Sequence, residues 1–233
     1  MIEPDGQIAI VTGASRGFGL ATTKALVTKG WTVIGDARDN RELAAAVDVI
    51  GEAFMAIPGD VSDPIHREQL IEAAVAAGGL DLLMNNASLL GPSPQPHLAS
   101  YPLDILQKVF EVNLLAPVAL IQAALPLLRH SRGVVVNVTS DAGRESYAGW
   151  GGYGSSKAAL DQMSNILGVE EPDLSVYRFD PGDMNTTMHQ EAFPGEDISD
   201  RPDPEQSVPA LLALIDGRPA SGAYRVADFL LAQ

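Results

Sequence analysis

A chain of 233 residues, 46% hydrophobic and 19% charged, is long enough to bury the core of one large α/β domain. It has no cysteine, which excludes disulfides, thiolate metal sites and a thiol nucleophile; its four histidines (His66, His97, His130, His189) lie far apart with no metal-ligand spacing. A formal net charge of −15 with no Lys/Arg stripe argues against nucleic acid as a partner.

The N-terminal MIEPDGQIAIVTG has no basic segment before its apolar run, so it reads as the lead into a first strand (8–12) and not as a signal peptide. A helix is expected over 17–29, a second strand over 31–36, a helix over 41–49 and a third strand over 53–60. Ser62, Asp63 and Pro64 then supply a cap and a first-turn proline for a helix that runs to Ala77 and stops at Gly78-Gly79. A fourth strand follows over 80–86, a Pro-rich loop over 91–102, a long helix over 103–129 and a fifth strand over 134–140. A Gly-rich loop leads into a helix over 151–167, then a sixth strand over 173–182. An irregular acidic segment, 183–206, precedes a helix over 207–216 and a short last strand over 223–228.

Strands that are apolar on both faces and separated by helices imply a parallel sheet covered on both sides. Right-handed crossovers make that sheet doubly wound. The expectation is an α/β fold: a single-domain, Rossmann-like three-layer αβα sandwich over residues 1–233, with no repeat or linker. Apolar stretches such as 114–128 contain Pro and Gln and are shorter than a bilayer requires, so a soluble cytoplasmic protein without a membrane partner is expected.

Three stretches carry chemistry. The first strand runs into TGASRGFG (12–19), where glycines let backbone approach a pyrophosphate at a helix N-terminus; the same turn without a ligand is the competing reading. YGSSK (153–157) puts Tyr153 and Lys157 one helical turn apart. A free tyrosine has a pKa of about 10 and is a poor base at neutral pH; a nearby ammonium lowers it. Ser140, at the end of the fifth strand, could hydrogen-bond a substrate carbonyl and the alkoxide formed from it.

Together these residues resemble the short-chain dehydrogenase/reductase family. Thr12, Gly13, Gly17 and Gly19 match T-G-x-x-x-G-x-G; Asn85-Asn86-Ala87 matches N-N-A-G, with Ser88 in place of the glycine. Asn113 lies in the long helix, Tyr153 and Lys157 fit Y-x-x-x-K, and Pro181-Gly182 with Thr186 matches P-G-x-x-x-T. The resemblance spans residues 7 to about 190 in the family's order and spacing. It implies a dinucleotide cofactor held by Gly13, Ser15, Arg16, Gly17, Phe18 and Gly19, by Asp60 and Val61 at the adenine, and by Asn86 and Ala87. Pro181, Gly182 and Thr186 fall to the nicotinamide end, with Thr186 at the carboxamide. It makes Asn113, Ser140, Tyr153 and Lys157 the catalytic set, with Tyr153 moving the proton, Lys157 also holding the nicotinamide ribose, and Asn113 fixing a water in a proton relay.

The second strand ends GDARDN. In the family pattern an NAD-selecting acid stands where Ala37 does; Asp36 is one place early and, by strand alternation, turned away. Arg38 stands where NADP-using members carry arginine, and Arg16 is a second cation for a 2′-phosphate. NADP is therefore expected over NAD. The substrate expected is a small neutral carbonyl or alcohol, since the acidic segment after Gly182 disfavours an anion; Tyr147 and Trp150 are candidates for lining its pocket. Two alternatives stay open: a dinucleotide-binding regulatory protein without turnover, and a reductase of C=C or C=N bonds such as a pterin's. Family members pair through the long helix and the Tyr/Lys helix, which implies a homodimer or homotetramer. No metal is expected.

Overall fold

The computed structural model describes residues 6–230. Its elements in chain order are β1 (Ile8–Val11), α1 (Gly17–Thr28), β2 (Thr32–Ala37), α2 (Asn40–Ile50), β3 (Phe54–Pro58), α3 (Pro64–Ala77), β4 (Leu82–Asn85), α4 (Leu103–Phe110) and α5 (Ala116–Ser131). They continue with β5 (Val134–Val138), α6 (Gly151–Glu170), β6 (Ser175–Asp180), α7 (Thr187–Ala192), α8 (Val208–Gly217), β7 (Gly222–Arg225) and α9 (Ala227–Leu230). Among the described residues the strands form one parallel sheet in the order β3-β2-β1-β4-β5-β6-β7. This is the expected doubly wound three-layer sandwich.

Strand alternation builds two cores from one sheet. Ala9, Val11, Val33, Met84, Val136 and Tyr177 face one side, where Phe18 and Leu26 of α1, Leu43 of α2 and Leu211 and Leu214 of α8 cover them. Ile8, Ile10, Ile34, Leu83, Val135 and Val176 face the other, under Leu70 and Ala74 of α3 and Leu120, Ile121 and Leu128 of α5. Full burial of one such side chain contributes about 1.5–3 kcal/mol.

Local chemistry sets the helix ends. Asp63 accepts from the Ile65 N–H, Pro64 opens α3, and Gly78 closes it in the left-handed region at φ 114°. Asp39 caps α2 by accepting from the N–H groups of Arg41 and Glu42.

Three expectations need revision. The long helix runs without a break from Leu103 to Ser131, with a π turn at Glu111–Leu115 inside it. At 29 residues it has the length and apolar composition to cross a membrane, more than the stretch 114–128 suggests; instead α5 lies along the sheet with Leu120, Ala124 and Leu128 fully buried. The segment 183–206 is not irregular throughout, because Thr186 accepts from the His189 N–H and starts α7. The last strand ends at Arg225, whose N–H donates to Asp228 in α9.

Candidate active site

Strands β1 and β4 are neighbours, yet the chain leaves them toward opposite ends of the sheet. At their carboxyl ends a crevice must open, and it does: a cavity of about 1430 Å³. The Gly-rich turn, the ends of β2 to β5, the start of α6 and residues 180–193 border it.

The turn is folded as tightly as backbone permits. A Cβ on Gly19 would stand 2.1 Å from the Gly13 carbonyl oxygen and 2.5 Å from Asn86 Nδ2, so no other residue fits there. Thr12 joins the turn to β4: its hydroxyl oxygen accepts the N–H groups of Asn86 and Ala87, both at 3.0 Å. Asn86 returns the link by donating to the carbonyls of Thr12 and Gly13. Gly13, Ser15, Arg16 and Gly17 border the cavity as expected, and Gly19 sits behind them. The Phe18 ring turns inward and stacks on Phe179 with centroids 6.0 Å apart, so its backbone is what it offers a ligand. No side chain caps the first N–H groups of α1, in contrast to α2 and α3. Uncapped N–H groups at a glycine turn suit a pyrophosphate, and the residues present fit a dinucleotide.

At the end of β2, Asp36 is 2% exposed. One carboxylate oxygen accepts from the Gly13 N–H at 2.8 Å and the other meets His66 Nε2 at 3.0 Å. That carboxylate braces the turn and is not free for ribose hydroxyls. Hydrogen bonding to Asp36 raises the His66 pKa. The His66 ring sits where a Cβ on Gly59 would be, 2.2 Å from Nδ1. Arg38 is exposed, borders the cavity, and among the described residues has no carboxylate within ion-pair reach. Arg16 lies 3.6 Å from Glu42, which also accepts from the Ser15 hydroxyl. Asp60 and Val61 border the same end. Burial pushes Asp60 up, but the N–H and hydroxyl of Ser62 outweigh it and hold the carboxyl below its ordinary value.

Three of the four expected catalytic residues, Ser140, Tyr153 and Lys157, come together at the opposite end. Tyr153 and Lys157 are buried on one face of α6, and Ser140 borders the cavity beside them. The Lys157 ammonium donates to the Val138 carbonyl at 2.8 Å and lies 5.5 Å from the Tyr153 ring centroid. Burial draws Lys157 down to about 8, opposed by the Asp161 carboxylate. Burial pushes the Tyr153 phenol well up, and the Ser88 hydroxyl draws it partly back. The lysine alone was expected to lower the phenol; its ammonium lies over the ring face and bonds a carbonyl, so burial dominates. Ser140 Oγ donates to Asp141 at 2.9 Å and accepts from the Ala142 N–H at 3.2 Å.

Asn113 is fully buried in the π turn and does not border the cavity. Its Oδ1 accepts from the Leu89 N–H and the Ser88 hydroxyl; its Nδ2 donates to the Leu89 carbonyl and Ser156. The side chain is a clamp that ties Ser88 and Leu89 to Ser156 of α6. Pro181, Gly182 and Thr186 line the cavity, and Thr186 doubles as the α7 cap. Asn85 is structural: it donates to Asn137, which donates to Ser164.

Sequence reasoning did not anticipate His66 as the partner of Asp36, the pair of Arg144 with the buried Asp180 at 2.8 Å, or Phe193 in the cavity wall. Each depends on contacts between distant segments, and no local pattern announces them.

The profile of the short chain dehydrogenase family matches residues 7–197. An uncharacterized oxidoreductase of Saccharomyces cerevisiae is 34% identical over 186 residues, covering 78% of this chain and 72% of that protein. A serine 3-dehydrogenase of Agrobacterium fabrum is 37% identical over 158 residues, covering 66% of this chain and 62% of that enzyme. A crystal structure of a short chain dehydrogenase from Shigella flexneri, complexed with NADP, matches with a TM-score of 0.87 and 30% identity over 95% of this chain and 97% of that one. The chain belongs to the short-chain dehydrogenase/reductase family. Within that family it is an NAD(P)-dependent dehydrogenase acting on the CH–OH/C=O couple.

Proposed function

We propose that the protein is an NADP(H)-dependent oxidoreductase of a small, uncharged carbonyl or alcohol, with Tyr153 as the acid and base. One observation carries the reading: Ser140, Tyr153 and Lys157 border the same cavity as the uncapped start of α1. A bound nicotinamide supplies or takes the hydride. Tyr153 gives its proton to the carbonyl oxygen in reduction, and the phenolate takes it back in oxidation. Its raised pKa keeps the proton available at neutral pH. Ser140 turns its hydroxyl from Asp141 to the oxygen where charge grows. Lys157 holds the nicotinamide ribose, and Asn113 holds the floor of the site. Pro181, Gly182 and Thr186 flank the nicotinamide, while Asp60 and Val61 flank the adenine.

NADP is favoured over NAD because Arg38 lies at the cavity edge with no carboxylate in ion-pair reach among the described residues, while both Asp36 oxygens are engaged. The cofactor in the Shigella flexneri relative is consistent with this. Initial rates with NADPH and NADH test it: we expect a clear NADPH preference and, in Arg38→Ala, a KM for NADPH raised about tenfold with that for NADH little changed. A preference for NADH rejects the assignment.

The substrate end is walled by Trp150, 5.7 Å from the Tyr153 ring and 5.9 Å from Phe193, with Tyr147 and Met188 nearby. Asp141, Asp183 and Glu191 stand around it, which disfavours an anion. A panel of aldehydes, α-diketones, enones and pterins with NADPH should give turnover on carbonyls that falls by about a thousandfold or more in Tyr153→Phe. Cofactor binding without turnover on any of them would favour a regulatory protein; turnover confined to enones or pterins would favour a C=C or C=N reductase. We also infer a homodimer or homotetramer that works in the cytoplasm.

A further inference from the structure

Two turns follow the neighbouring strands β5 and β6, and both border the cavity. The first begins at Ser140, whose hydroxyl donates to Asp141. The Gly143 N–H donates to the Ser140 carbonyl at 3.0 Å and the Arg144 N–H to the Asp141 carbonyl at 2.7 Å, which closes that turn. The second is Asp180-Pro181-Gly182, where Gly182 takes a φ of 75° and donates its N–H to one Asp180 carboxylate oxygen at 3.0 Å. The ladder between the strands ends just below, where the Thr139 N–H donates to the Phe179 carbonyl at 2.9 Å; Pro181 has no N–H to extend it. Beyond that point Arg144 reaches across, and its guanidinium donates to the other Asp180 oxygen at 2.8 Å. Among the described residues this is the one hydrogen bond between segments 140–150 and 180–193.

We propose that Arg144 is a positioning residue of the active site: through Asp180 it fixes the turn that carries Ser140 against the turn that carries Gly182. The proposal rests on the reading of Tyr153 as acid and base, with Ser140 at the substrate oxygen and Gly182 beside the nicotinamide. In that reading the separation of the two turns sets how closely the carbonyl carbon meets the hydride. A displacement of about 1 Å between reacting groups lowers a rate by about a hundredfold. Arg144 holds both sides at once: its backbone closes the first turn, and its guanidinium reaches the carboxylate that shapes the second. The bond is charge-assisted, and Asp180 is 8% exposed, so water competes for it poorly. Arg144 itself does not border the cavity, whereas Ser140, Asp180 and Gly182 do. Its replacement therefore leaves the cavity lining in place and cuts only the tie.

Arg144→Met keeps the length of the side chain without its charge, and Arg144→Lys keeps the charge. Steady-state rates are measured with NADPH and the panel carbonyl that turns over fastest, well below the Tm of each variant. Arg144→Met should lower kcat about tenfold, while the KM for NADPH, which the reading grips at the adenine end, stays within about twofold. Arg144→Lys should recover kcat to within about threefold of the parent, since one hydrogen bond to Asp180 is all it must supply. An unchanged kcat in Arg144→Met overturns the proposal even where Tm falls, because the pair then serves stability alone. A lysine variant as slow as the methionine one overturns it too. Should Arg144→Met fail to fold because Asp180 is left buried and unpaired, adding Asp180→Asn removes that charge. The double variant should then be slower than the parent and no slower than Asp180→Asn alone, since both changes cut the same tie. A further loss of about tenfold in the double variant, or a parental kcat in it, rejects the tie. A parent that turns over no carbonyl, or a Tyr153→Phe variant that still turns over, removes the acid–base reading and the role of Arg144 with it. An inactive Tyr153→Phe beside an unchanged Arg144→Met removes the role of Arg144 alone.

Discussion

The ammonium of Lys157 is buried at 2% exposure against the Val138 carbonyl. Burial sets its pKa at about 8, below the ordinary 10.5. Between those values the unfolded chain binds more protons than the folded one, so stability rises with pH across that window. Below it the buried charge costs up to about 3 kcal/mol. Lys157→Met should therefore abolish turnover yet raise Tm at pH 7 by about 3–6 °C, an advantage that shrinks toward pH 10. Thermal unfolding at the two pH values checks it; an unchanged or lower Tm at pH 7 would contradict it. The pairing of Tyr153 with Lys157 was legible in YGSSK, because one helical turn places both on one face. That burial, more than the pairing, sets the acidity of both was not legible, since it depends on how the tertiary structure encloses them.

At the scale of elements, Asp36 ties three together: β2, which carries it, the turn before α1 through Gly13, and α3 through His66. The chain pattern located Asp36 at the end of β2 and expected its carboxylate to be turned away from the ribose. It could not name the groups that occupy the carboxylate, because Gly13 and His66 lie in separate segments. Hydrogen bonding to Asp36 raises the His66 pKa, so this link contributes fully below the ordinary 6.5 and is lost as pH rises through the higher folded value. His66→Gln should lower stability by about 1–3 kcal/mol at pH 6 and flatten the decline between pH 6 and 8.5, as read by urea unfolding. If the variant's decline parallels the parent's, His66 is not the titrating group. The π turn at Glu111–Leu115 belongs to this scale too. Apolar periodicity announced a long helix here but not the turn that seats Asn113 beneath Leu89.

For the whole molecule, the long helix and α6 both carry exposed apolar side chains. Leu103 and Leu115, in and just before the two halves of the long helix, are 77% and 57% exposed; Ile166 and Val169 on α6 are 43% and 82% exposed. The proposed pairing through these helices would cover them, and Ile166→Asp with Val169→Glu should then give monomers in sedimentation equilibrium without loss of the fold. A parent protein that sediments as a monomer at micromolar concentration would reject the assembly. By itself, the sequence determined the layered α/β fold, the order of its elements, the Gly-rich turn and the Tyr/Lys pair. These follow from residue spacing, and spacing maps directly onto strand and helix period. Only the tertiary structure decided that Asp36 is a brace, that the Asn113 side chain is a clamp, and that the Ser88 hydroxyl meets Asn113. Those roles are set by contacts between residues far apart in the chain, and such contacts exist only once the sheet has brought its carboxyl ends together.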